Sequence, residues 1–101
     1  MKIGDEYGQP MRGSMMRAKN GALYFRDSDG ALWAKEQGTP SEPPFYGWRT
    51  VVSGGLPLHV LAGLVPFTVV AIVTEPATPE ELARYEADAQ KADRHVTAGL
   101  L

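Results

Sequence analysis

The sequence predicts an α+β fold: a small antiparallel β-meander or half-open barrel, a short helix near residue 60, and a C-terminal α-helix. Three observations predict it. The 25-residue run from Thr50 to Thr74 holds no Lys, Arg, Asp or Glu, so it belongs in a core. Two turn signals, Asn20-Gly21 and Asp27-Ser28-Asp29-Gly30, separate three short β-prone runs. Thr78-Pro79-Glu80-Glu81 opens a helix, with Thr78 as N-cap, Pro79 at the first helical position and Glu81 completing a capping box. With 101 residues the chain is expected to build one modest core: a β-rich domain over residues 1–76, and a helix over 77–101 packed on it or on a partner.

In chain order, Lys2-Ile3 starts an edge strand, and the glycines and proline up to Gly13 read as loop. The meander is predicted at Ser14–Ala18, Ala22–Arg26 and Ala31–Glu36. A two-residue turn at 20–21 pairs 16 with 25 and 17 with 24, and a four-residue turn at 27–30 pairs 25 with 32 and 24 with 33. Because side chains alternate faces, one face then reads Met16–Phe25–Leu32 and Ala18–Leu23–Ala34, wholly apolar. The other reads Arg17–Tyr24–Trp33, Met15–Arg26–Ala31 and Lys19–Ala22–Lys35.

Residues 37–47 form a Pro-rich loop leading to Phe45, Tyr46 and Trp48. It is either a crossover laying its aromatics over the core edge, or a binding loop with a short polyproline II segment. The uncharged run divides into a strand over Trp48–Val52, a turn at Ser53-Gly54-Gly55, a short element at Pro57–Ala62 and a buried strand at Phe67–Val73. Pro57 suits the first position of a helix and Gly63 the position after its end, with a strand as the competing reading. The run is long enough to cross a bilayer, but Pro57, Pro66, three glycines and His59 interrupt it and no Lys/Arg cluster flanks it, which favours a protein core. The C-terminal helix is expected to reach about Arg94 or His95, with a narrow Leu82, Tyr85, Ala89, Ala92, Val96 stripe and a Glu80–Arg84 pair.

Chemistry is sparse. The chain has no Cys, so thiol catalysis and disulfides are excluded. The serines sit at strand starts or in loops without a nucleophile-elbow pattern, and Glu80 and Glu81 diverge on a helix. His59 reads as a core or edge residue and His95 as a helix-dipole partner. Asp27, Asp29 and Glu36 fall at calcium-loop offsets, but Phe25 occupies the first ligand position and strands flank the loop. Ser53-Gly54-Gly55 lacks the Lys of a phosphate loop. These readings point away from an enzyme, and imply no cofactor, no metal and no evident small-molecule substrate. With a net charge of −2, tight duplex DNA binding is disfavoured. No N-terminal targeting pattern appears, so a cytoplasmic protein is expected.

The candidate working surface is the face carrying Arg17, Tyr24, Arg26, Trp33 and Lys35, together with Phe45, Tyr46 and Trp48 from the loop. Trp, Tyr and Arg anchor protein interfaces. Aromatics interleaved with cations also serve single-stranded nucleic acid binding, and ordinary cross-strand packing with cation–π contact is the structural alternative. A protein partner or self-association is therefore expected, with nucleic acid as the other possibility.

The order NGALYFRDSDGALW, a loop, then LPLHVLAGLVPFTVV resembles short β-rich proteins of actinobacteria and their phages, over about residues 14–74. The resemblance brings no activity, cofactor or site residue. It implies a small accessory or phage-encoded protein, a binder rather than an enzyme, placed in the host cytoplasm or the virion.

Overall fold

A computed structural model of the chain describes residues 1–51, 56–73 and 78–100, with side chains described as far as residue 89 in the last helix. Among these residues, six short strands form one open antiparallel sheet: β1 (Glu6–Tyr7), β2 (Ser14–Arg17), β3 (Leu23–Arg26), β4 (Leu32–Lys35), β5 (Arg49–Thr50) and β6 (Phe67–Ile72), in spatial order β1-β6-β2-β3-β4-β5. Two helices accompany it, α1 (Leu58–Leu64) and α2 (Pro79–Leu100). The fold is α+β as predicted, and the sheet does not close into a barrel.

The meander forms where expected, but both registers differ by one residue. Met16 pairs with Tyr24 and Arg17 with Leu23; Tyr24 pairs with Ala34 and Phe25 with Trp33. The cause lies in the turns. Ala18 N–H donates to Ala22 O, closing a three-residue loop Lys19-Asn20-Gly21 in which only Gly21 has positive φ, +89°. Asp27 N–H donates to Ala31 O in the same way, closing Ser28-Asp29-Gly30 with Gly30 at +88°. Each is a turn whose last residue is a left-handed glycine bulge, the common three-residue hairpin loop. Asn20 and Asp27 brace them, their Oδ1 atoms accepting from Ala22 N–H and from both Asp29 and Ala31 N–H.

One residue of register moves each strand's side chains to the opposite face. Met16, Ala18, Ala22, Tyr24, Leu32 and Ala34 join Leu64, Phe67 and Val69 in one buried cluster, flanked by Val60 and Leu61 of α1. Met15, Leu23 and Phe25 join Trp48, Ala71, Val73 and Leu82 in a second, flanked by Trp33, Tyr46 and Tyr85. Both faces are therefore covered, α1 over one and α2 over the other. Strand β6 serves both. Met15 pairs with Ala71 and Met16 with Val69, so Val70 is a bulge residue that turns Phe67 and Val69 to one cluster, Ala71 and Val73 to the other.

Several boundaries differ from expectation. The N-terminal edge strand is Glu6–Tyr7 and not Lys2-Ile3, with Gly4 N–H donating to Val69 O just before it. Helix α1 starts one residue later, with Pro57 as its N-cap, and runs through Gly63 to Leu64. His59 is exposed on α1 and not in the core. The strand after the loop is only Arg49–Thr50; the turn at 53–55 lies outside the described residues. Helix α2 begins as predicted, with Glu81 N–H donating to Thr78 Oγ1 at 3.2 Å and Glu80 pairing with Arg84 at 2.9 Å, but continues to Leu100. Ala92, Val96 and the His95 dipole role lie beyond the described side chains. No helix among the described residues is long and apolar enough to cross a membrane.

Candidate functional site

The eight candidate residues do not share a surface. Arg17 and Trp33 fall on the α2 face, and Tyr24 on the α1 face, so the row Arg17–Tyr24–Trp33 is absent. Tyr24 is 9% exposed, with its ring edge-on to Phe67 at 5.5 Å. Burial pushes its hydroxyl pKa above the ordinary 10.0, Arg49 opposes this, and Glu36 adds to it. Trp33 is half-buried, and its indole N–H donates to Asp27 Oδ2 at 3.1 Å, closing the β3–β4 turn. Arg26 spans the same turn, donating from Nη1 to Gly30 O at 2.7 Å. Trp48 is 2% exposed in the second cluster, and no described group accepts from its indole N–H.

Lys35 departs furthest from a solvent-facing cation. It is 5% exposed on β4, and its ammonium donates to both carboxylate oxygens of Glu86 on α2 at 2.6 and 2.8 Å, and to Ser41 Oγ at 2.6 Å. Glu86 is itself 8% exposed. The pair sits on one wall of a cleft of about 580 Å³ that Arg17, Gln37 and Thr39 also line. Sequence reading missed Glu86, although a signal existed: it stands four residues after Leu82 and three before Ala89, a carboxylate inside the helix's buried stripe.

What remains in solvent is the loop. Residues 40–45 are all exposed, and Phe45 is 71% exposed, the most exposed aromatic side chain among the described residues. The backbone around it is tied down. Tyr46 N–H donates to Glu42 O at 2.7 Å and Trp48 N–H to Phe45 O at 3.1 Å. Tyr46 and Gly47 both take positive φ, 54° and 81°, as the central residues of a type I′ turn do. Tyr46 packs half-buried against the second cluster and Trp48 is one of its largest members. The loop is thus anchored at its far end by two aromatics and offers a third to solvent.

Among the described residues no three His, Asp or Glu side chains gather closely enough to hold a metal ion. Comparison of the chain with protein-family models, with functionally described proteins and with solved structures returns no match.

Proposed function

We propose that this chain is a small non-catalytic accessory protein that acts by protein–protein interaction through the loop of residues 40–48, in the cytoplasm of its host or, if phage-encoded, in the virion. The observation that carries this reading is Phe45: a large apolar ring left 71% exposed on a backbone held by two hydrogen bonds, the buried Trp48 and the half-buried Tyr46. An aromatic on a pre-ordered loop makes a good interface anchor, because little conformational entropy is lost when it enters a partner's pocket. Leu58 is exposed too, but it is aliphatic and opens a seven-residue helix without such bracing. The nucleic acid alternative drew on the Arg17–Tyr24–Trp33 row, whose members lie on opposite faces.

The test compares tagged wild-type protein with Phe45→Ala in lysate of the natural host, with and without nuclease treatment. Phe45 is exposed and belongs to neither core cluster, so the variant should fold normally. The expected result is a specific protein retained by wild type and reduced about thirtyfold in Phe45→Ala, the loss typical of a truncated interface anchor. Equal retention by both forms overturns the loop reading, and retention that vanishes on nuclease treatment restores nucleic acid.

A further inference from the structure

We infer that Lys35 is a latch that couples the presentation of Phe45 to the docking of helix α2. The inference gives the loop reading a mode of regulation and rests on that reading for its purpose, though not for its test.

Three separate parts of the chain converge on this one side chain. Its ammonium bonds Ser41 at the start of the loop and both carboxylate oxygens of Glu86 on α2. Its stem runs against Gly47 at the loop's far end: a Cβ added there would lie 2.7 Å from Lys35 Cε and 3.2 Å from Cδ. Gly47 therefore serves two demands, its φ of +81° and the passage of the lysine stem. An ammonium has three protons, and these two partners engage them in a buried setting. Glu86 thus fixes the direction in which Lys35 points, and Lys35 in turn holds Ser41 and fills the space beside Gly47.

The consequence is linkage. When α2 lifts, Glu86 leaves, Lys35 is free to turn into the adjoining cleft, and the loop loses its hold at Ser41 and its packing at Gly47. Coupling of this kind is reciprocal, so a partner that pulls the loop through Phe45 weakens the docking of α2 by the same factor. A partner engaging α2 would switch the loop from a braced to a loose form.

Backbone amide exchange followed by NMR on the isolated protein tests this. Glu86→Gln is expected to speed exchange of the Tyr46 and Trp48 amides about tenfold while Met16 and Phe25 in the central strands keep their wild-type rates. Glu80→Gln, on the exposed side of the same helix, should leave the loop amides unchanged. Ser41 is exposed, and Ser41→Ala is expected to speed exchange around Glu86. Loop amides unmoved by Glu86→Gln overturn the latch. If that variant loosens the whole sheet, Ser41→Ala decides: helix amides that keep their rates overturn it. No partner is present in this experiment, so its failure is distinct from a failure of Phe45 to capture one.

Discussion

Lys35 shows how a charge reads differently in sequence and in structure. In sequence it is the last cation of a β-prone run and falls on a basic-aromatic face. In three dimensions it is paired with a carboxylate 51 residues away. Removing one member of a buried ion pair takes a close opposite charge away from the other in a setting poor in water. Lys35→Met alone is expected to cost about 3–5 kcal/mol in denaturant unfolding, and Lys35→Met with Glu86→Met to recover most of that cost. Additive single effects would contradict the pairing. Tyr24 contributes a pH dependence. Its raised pKa means that the folded state keeps the hydroxyl proton where the unfolded chain has lost it. The associated stability is complete below about pH 10 and is lost as pH rises above it. Unfolding measured between about pH 9 and 11 should show this decline in wild type, and a smaller one in Tyr24→Phe.

At the scale of elements, the hairpins divide what sequence reading can reach from what it cannot. The turn positions were legible, because Asn-Gly and Asp-Gly supply the residues that adopt left-handed φ. The number of residues in each loop was not: Asn-Gly serves a two-residue turn or the last two places of a three-residue one, and Asp27, read as part of a four-residue turn, is the paired residue before a three-residue one. That single residue reassigns Tyr24 and Phe25 to opposite clusters. The start of α2 was legible down to its cap, since Thr78, Pro79 and the glutamates act locally. Its docking rests on Leu82, which is fully buried against the sheet, so Leu82→Ala is expected to cost about 2–5 kcal/mol. In the loop, Gly47→Ala is expected to destabilise more than Gly21→Ala, although a Cβ at either position meets a neighbour. At Gly21 the neighbour is the end of the exposed Gln37 side chain, which can swing away. At Gly47 it is the pinned Lys35 stem, with Pro40 O at 3.1 Å behind. Thermal melts of the two variants give the order, and a reversed order would contradict the packing.

For the whole molecule, the apolar pattern was misleading for a physical reason. A sheet with one solvated face alternates apolar and polar residues along each strand; a sheet covered on both faces does not. Here Ser14 to Met16 and Leu23 to Phe25 are buried consecutively, so either register produces an apolar face and the pattern cannot choose. With most of both faces buried, the proposed loop reading places the contact on what protrudes from the sheet. Hydroxyl-radical footprinting of the aromatic side chains, on the free protein and on its captured complex, tests that directly. A braced loop presenting Phe45 predicts fast modification of Phe45 and slow modification of Tyr24 and Trp48 in the free protein, with Phe45 selectively protected in the complex. Tyr24 and Trp33 reacting as fast as Phe45, and gaining protection together in the complex, would mean that the working surface is the sheet after all.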